Sequence, residues 1–188
     1  MRYKFVPAEE LIGRVGASAS DSKRRALIEI LKERLAHQDG SLEGVNWSCL
    51  RLSKVMLSSS IMPRAQFMSA KLEGAYFGYC DLRAANFDGA DLRDAHFREA
   101  DLSAASFAGA NLRGANLARA KLQGCSFQNA DLTGVNLWGA DLRGADLSDA
   151  MLTTCCLTAA LVDDATVLPD RLDFEKAGAK AEVESNQD

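Results

Sequence analysis

A large apolar residue recurs at every fifth position over most of this chain. These residues, the centres of the repeat, run without a break from Leu42 to Leu157, and most are Leu or Phe. An α-helix would spread a five-residue period around its circumference, because each step of five rotates it by about 140°. A straight strand would place successive centres on opposite faces. The chain must therefore turn once per repeat, so that every centre faces a common axis.

The residue two positions before each centre is small. For the centres from 67 to 162 it is Ala in 16 of 20 repeats. Residues two apart in extended chain share a face, so each repeat points one large and one small side chain inward. Asp, Asn or Ser often precedes the centre and Gly often ends the repeat, which are residues that favour turns. The pattern predicts an all-β solenoid with a tight turn in every repeat.

The phenylalanine centres show how the repeats are arranged around the axis. Phe67, Phe87, Phe107 and Phe127 recur at every fourth repeat, and Phe77 and Phe97 are also four repeats apart. All six lie at alternate centres, which indicates an even number of faces. With four faces, the two sets would form two columns, and leucine centres would occupy the faces between them. Coils at the ~4.8 Å spacing of paired strands would let the rings of one column stack.

The repeats themselves, for example "ADLRGADLSDA" at residues 140–150, resemble those of the pentapeptide-repeat family. The resemblance covers about two thirds of the chain. It implies a right-handed quadrilateral parallel β-helix with four repeats in each coil. The Phe columns would then lie on two opposite sides.

The two ends of the chain differ from the repeats. Residues 1–40 are predicted to form an α-helical cap, because Leu27, Leu31 and Leu35 form one apolar stripe on a helix spanning about Asp21 to Ala36. This helix would cover the open first coil or dock a partner or an anionic surface. Residues 41–168 are the β-helix, with the repeat breaking after Val167. Pro169 is expected to block further strand addition, leaving 169–188 as a short helix or a disordered acidic tail.

The sequence contains no recognisable catalytic or cofactor motif. Its two histidines, His37 and His96, have no local nucleophile or metal-ligand pattern, and the many Asp residues follow the turn spacing. We expect no enzyme activity, no cofactor and no metal. Five cysteines without a CxxC motif, and no signal or transmembrane segment, predict a reduced, cytoplasmic protein. Residues 41–160 sum to a charge of −1, which argues against nucleic-acid binding.

Binding to a protein partner is the remaining function, and one side of the rod has the residue types that interfaces favour. This side is centred on residues 57, 77, 97, 117, 137 and 157. Its candidate contact residues are Tyr76, Tyr79, His96, Arg98, Arg119 and Trp138. The leading hypothesis is a rigid scaffold or regulator of a protein partner, monomeric or joined end to end as a homodimer.

The alternative hypothesis is DNA mimicry. The family resemblance includes proteins that protect gyrase, a type II topoisomerase, by presenting a rod that imitates B-DNA. Mimicry of a polyanion requires a negative face, whereas the rod of this chain is nearly neutral.

Overall fold

The computed structural model describes residues 42–169 and 180–181. The predicted N-terminal cap, residues 1–40, lies outside the described residues, as does most of the range 169–188. Within the described part there is no helix with the length and apolar character that crossing a membrane requires.

The repeats wind into a four-sided parallel coil. Single-residue parallel β-bridges join each residue that precedes a centre to its equivalent four repeats later, from Asn46↔Gln66 to Asp141↔Leu161. One coil thus contains four repeats and has four faces, as the family resemblance implied. We number them from the first complete coil: face 1 is 45–49, face 2 is 50–54, face 3 is 55–59 and face 4 is 60–64, and each recurs once in every later coil.

The inward side chains of all four faces form one continuous core along the axis of the coil. From Ala65 to Ala150, every centre and every small residue two before it is at most 8% exposed. Phe67, Phe87, Phe107 and Phe127 stack on face 1 with ring centroids 4.9–5.0 Å apart, and Phe77 stacks on Phe97 on face 3. Rings from the two opposite faces meet edge to face at 5.6–6.1 Å. The predicted inward assignment and the two phenylalanine columns are confirmed.

The backbone N–H groups of one repeat have distinct acceptors. In the repeat 85–89, Ala85 N–H donates to Leu82 O and closes a turn, Asn86 N–H donates to the preceding coil, and Phe87 and Gly89 N–H donate to the following coil. The fifth, Asp88 N–H, donates to Oδ1 of Asn86 at 2.8 Å. An Asn or Asp before the centre therefore satisfies the one N–H that the backbone of the neighbouring coils does not, which explains the preference for these two residues.

The second residue after each centre has a left-handed backbone. Gly89 has φ of +63°, and its equivalents have φ between +54° and +70°. The residue before it has no positive φ, so the turn is of type II, in which glycine is the least strained residue at this position. The frequent glycine at the end of the repeat is thereby explained.

The C-terminal end differs from the prediction. Strand β1, Leu161–Val162, pairs in parallel with strand β2, Lys180–Ala181. Pro169 therefore does not block strand addition, because the chain passes it and then adds one more rung to face 4. These two residues are neither helix nor disordered tail, and residues 170–179 and 182–188 lie outside the described residues.

The five-residue period breaks before Val167, whereas the sequence pattern placed the break after it. Asp146 pairs with Val167 instead of Thr166, so the last repeat contains one extra residue. Val167 is consequently exposed, and Leu168 packs against the core in its place. Side chains complete the interrupted ladder: Asp163 Oδ1 accepts from Gly144 N–H at 2.8 Å, and Thr166 Oγ1 donates to Leu142 O at 3.1 Å.

We expect Ala110→Phe to lower the free energy of unfolding by at least ~1–3 kcal/mol. Ala110 is 1% exposed, and a core only one side chain deep on each side cannot widen without breaking the coil-to-coil hydrogen bonds. Ala108→Phe, at an outward position on the neighbouring face, is the control. Chemical denaturation of both variants measures the difference, and equal stabilities would contradict the inward assignment of Ala110.

Acid should destabilise the C-terminal end through Asp163. Its pKa is held below the ordinary value of 3.8, first by the hydrogen bond from Gly144 N–H and also by backbone N–H groups of Ala165 and Thr166. The charged carboxylate therefore stabilises the fold above about pH 3.8, and this contribution disappears as the pH falls through the lower folded-state pKa.

Thermal midpoints measured between pH 5 and pH 2.5 test this contribution. Asp163→Asn should lose less stability on acidification than the unmodified protein, because one titrating group is gone. Asp164→Asn, at an exposed neighbour, is the control and should follow the unmodified protein. The Asp163 assignment is wrong if the Asp163→Asn curve also does so.

Candidate functional site

Face 3 carries all six of the predicted contact residues, and its outward side chains include several large aromatic groups. Tyr76 is 38% exposed, Tyr79 59% and Trp138 46%, so each ring lies at the surface. His96, Arg98 and Arg119 lie on the same face in the third and fourth coils. The structure thus brings the six predicted contact residues together on one face.

One column of face 3 lacks the side chains that complete the turns. Met56, Tyr76 and His96 precede the centres of three successive coils, where most repeats have Asn, Asp or Ser. On the other described faces, no more than two successive coils depart from that choice. Tyr76 instead stacks on His96, with ring centroids 4.6 Å apart and an interplanar angle of 16°. Within the described residues, Gly78 N–H and Arg98 N–H therefore have no acceptor. Equivalent N–H groups on the other described faces also have none, at Met68, Glu73, Gln123, Gln128 and Thr153, but not in successive coils of one face.

A second column of face 3 carries large side chains on left-handed backbone. Tyr79, Glu99 and Arg119 have φ of +60°, +57° and +59° in three successive coils. Each of the other described faces has at most one Lys, Arg, Glu or aromatic residue at this turn position. Left-handed backbone costs a residue with a Cβ roughly 1–2 kcal/mol relative to right-handed backbone. Every face has some non-glycine residues at this position, but face 3 has the most, five against three or four, and the large ones lie in successive coils.

The two arginines of face 3 share a single acid. Glu99 Oε1 lies 3.3 Å from Arg98 Nε and 3.8 Å from Arg119 Nε. By contrast, Arg93 on face 2 and Arg143 on face 4 each donate two hydrogen bonds, of 2.7–2.9 Å, to a single aspartate. The terminal nitrogens of Arg98 and Arg119 have no acceptor in the described part of the chain. Face 3 is left with one excess positive charge and with unused donors.

The lower part of face 3 is flatter. Ala118 occupies an outward position but is only 7% exposed, and its equivalents in the two adjacent coils are Arg98 and Trp138. Here the usual turn bonds return, since Asn116 Oδ1 accepts from Ala118 N–H and Asn136 Oδ1 from Trp138 N–H. On face 3, the positions that lack an Asn, Asp or Ser before the centre are therefore concentrated in the first three coils, which we call the upper coils.

The other polar groups form no comparable site. Groups of His, Cys, Asp and Glu able to hold a metal do not occur among the described residues. Burial raises the pKa of Cys125 to about 12, so this core thiol stays neutral. A shallow groove of about 350 Å³ on face 2 contains Arg93, Asp94, Arg113 and Thr133. Its arginines already bind aspartates, and Gly114 and Gly134 provide its open space.

Exposed apolar residues outside face 3 were not singled out by the sequence. Met68 is 44% exposed on face 1 and Met151 52% on face 2. Nothing in their repeats distinguishes them, because each stands alone among small polar side chains. They serve below as control positions.

A scan against protein-family models finds the pentapeptide-repeat model, whose eight copies match segments between residues 65 and 158. These matches span half of the chain. The chain belongs to the pentapeptide-repeat family. Pentapeptide-repeat proteins fold into right-handed quadrilateral β-helices, consistent with the four faces described above. They are in general structural or interaction modules.

Solved structures of pentapeptide-repeat proteins are similar to this chain. HetL, involved in heterocyst differentiation regulation in the cyanobacterium Nostoc sp. strain PCC 7120, is 25% identical over 73% of both chains, with a TM-score of 0.49. A thylakoid lumen protein of Arabidopsis thaliana is 28% identical over 73% of this chain and 74% of its own, with a TM-score of 0.46. QnrB1, a plasmid-mediated fluoroquinolone resistance protein, is 24% identical over 75% and 89%, with a TM-score of 0.33. Among curated proteins, no sequence matches this chain.

Replacing Tyr79 should show that face 3 accepts strain. We expect Tyr79→Gly to be more stable than Tyr79→Ala by about 1 kcal/mol, because only glycine relieves the left-handed backbone. Both variants lose the ring, so their comparison isolates the backbone term. Denaturant unfolding measures it, and Tyr79→Ala at least as stable as Tyr79→Gly would remove the argument from strain.

Proposed function

We propose that this pentapeptide-repeat protein is a non-catalytic interaction module, a rigid rod that scaffolds or regulates a protein partner in the cytoplasm. Face 3 would be its contact surface, with Tyr76, Tyr79, His96, Arg98, Arg119 and Trp138 as the contact residues. Tyr, Trp and Arg are the residues most often responsible for binding energy at interfaces. A flat or convex rod face suits a protein surface better than a small molecule, which needs a concave pocket.

The observation that carries the proposal is the loss of two stabilising features at the same place. In the upper coils of face 3, large side chains replace the Asx groups that complete the turn, and others stand where glycine would relieve strain. Neither replacement improves the core, because both columns point outward. Strained and unsatisfied groups cluster at functional sites when binding uses the side chains concerned.

DNA mimicry has less support from the charges of the described residues. Face 1 is the one described face with no Lys or Arg among its outward residues, and it carries three acids, Asp88, Asp146 and Asp149. Six coils span about 29 Å, a length of B-DNA that carries roughly 17 phosphate charges. On faces 2 and 4, arginines and lysines pair with the aspartates. We therefore do not expect gyrase protection.

Two further features belong to the proposal. Residues 1–40 would cap the first coil, since the open end of a solenoid needs a cover. The rod would be a monomer or an end-to-end homodimer, leaving face 3 open in either case. No disulfide joins the five cysteines, all of which lie in the described part, and this is compatible with a reducing compartment.

Site-directed photo-cross-linking in the native host tests the contact face. A benzophenone side chain at position 79 should form an adduct with a specific partner, whereas the same group at Gln128, an exposed position on face 1, should not. Mass spectrometry identifies the adducts. Cross-linking that is equal at the two positions would contradict face 3 as the contact surface.

The affinity of the captured partner then tests the anchors. Tyr76→Ser with Trp138→Ser should weaken binding by at least ~2 kcal/mol, or about 30-fold, without loss of folding. Met68→Ser with Met151→Ser removes similarly exposed apolar groups from faces 1 and 2 and is the matched control. An unchanged affinity of the folded face 3 variant would rule out these two rings as anchors.

A further inference from the structure

The part of face 3 next to its corner with face 4 presents hydrogen-bond donors with few acceptors. We define the corner strip as the paired outward positions 78–79, 98–99, 118–119 and 138–139 in four successive coils. Gly78 N–H and Arg98 N–H have no acceptor within the described residues, and both arginines of the strip have unused terminal nitrogens. The one carboxylate, Glu99, is already shared by the two guanidinium groups. The complementary ligand is therefore anionic.

Aromatic side chains stand at both ends of the corner strip, each beside a glycine. Tyr79 follows Gly78 in the second coil, and Trp138 precedes Gly139 in the fifth. Three coil steps separate the two rings, or about 14 Å along the rod. The arginines occupy the two coils between them, so on the same spacing the centre of positive charge lies about 7 Å from each ring.

An extended peptide matches these spacings. Alternate side chains of an extended chain share a face at ~3.4 Å per residue, so residues i and i+4 lie about 14 Å apart with residue i+2 midway. A helix rises only about 1.5 Å per residue, so it needs nine or ten residues for the same distance, and residues so spaced lie on different sides of the helix. The extended form therefore fits the strip without tilting.

We propose that the corner strip binds an extended acidic peptide segment of the partner, with apolar or aromatic residues at i and i+4 and a carboxylate at i+2. The apolar residues contact Tyr79 and Trp138. The carboxylate accepts hydrogen bonds from the terminal nitrogens of Arg98 and Arg119, and Arg98 N–H is a further donor. This inference rests on the proposed function, because it specifies which partner chemistry face 3 recognises.

A synthetic peptide tests the recognition directly. The probe is the fluorescein-labelled peptide Ser-Gly-Phe-Ser-Glu-Ser-Phe-Gly-Ser, titrated with the full chain to about 1 mM at low ionic strength and followed by anisotropy. Two comparison peptides isolate its features: one has Gln in place of Glu, and the other, Ser-Gly-Phe-Ser-Phe-Ser-Glu-Gly-Ser, has the same composition in a different order. We expect both to bind at least tenfold more weakly.

Protein variants then assign the donors. Arg98→Gln with Arg119→Gln should weaken the Glu peptide at least tenfold and abolish its advantage over the Gln peptide. Arg51→Gln with Lys54→Gln removes two positive charges from face 2 and should leave binding unchanged. His96→Asn should bind three- to tenfold more weakly than His96→Ala, because only the Asn side chain accepts the Arg98 N–H. Thermal melts confirm that each variant is folded.

The outcomes separate the two proposals. Equal binding of the three peptides, or undiminished binding by the folded Arg98/Arg119 variant, would overturn the acidic-peptide inference. Absence of peptide binding over the whole titration would also overturn it, and photo-cross-linking at position 79 would then show whether face 3 still contacts a partner. If His96→Asn and His96→Ala bind equally, the backbone donor is not used and that part of the inference is wrong.

Discussion

The structure depends on the hydrogen-bond register between coils. Each coil must contain four whole repeats, because the N–H groups of one coil donate to carbonyls of the next at fixed offsets, as when Phe87 N–H donates to Ser106 O. This register places equivalent side chains directly above one another at the strand spacing of about 4.8 Å. The phenylalanine columns, the Asp and Asn turn bonds and the corner strip all follow from it. A one-residue insertion shifts the pairing by one residue, as before Val167, which pairs with Asp146 in place of Thr166. Side chains of Asp163 and Thr166 then supply hydrogen bonds that the backbone no longer makes.

The same register explains why face 3 can be distinguished from the other faces. Every repeat makes the same backbone bonds, so outward positions differ only in their side chains and can be compared column by column. In most repeats the residues stabilise the turn, through an Asn or Asp before the centre that accepts an N–H or through a Gly after it that relieves strain. Single repeats on the other faces lack both contributions, as at Met68–Ser69 and Thr153–Thr154, but in the first three coils of face 3 the loss recurs in successive coils. A face that is less well adapted to its own fold is the natural candidate for binding something else.

Much of the fold could be predicted from the repeat. The period of five established which residues lie inside, and Ala110 and Phe107 are buried as expected. The candidate contact residues could be grouped on one face once the family resemblance gave four repeats per coil. The unused N–H groups of Gly78 and Arg98 could not be recognised, because that requires knowing where the other N–H groups of the repeat donate. The sequence also could not predict that Glu99 pairs with both Arg98 and Arg119, since the two arginines belong to successive coils and are distant in the sequence.

At the C-terminus, the local sequence did not predict where the coil ends. Pro169 and the polar residues after it suggested that the coil ends there, since proline lacks a donor for the ladder. Strand addition by Lys180–Ala181 depends instead on the free edge of β1 and on the number of residues available to return to it. By itself, the sequence determined the period and the inward residues, because these follow from side-chain size and turn preference within each repeat, and the resemblance to the family supplied the four faces. Only the tertiary structure decided which donors remain unpaired and where the ladder ends, because both depend on contacts between residues a full coil apart.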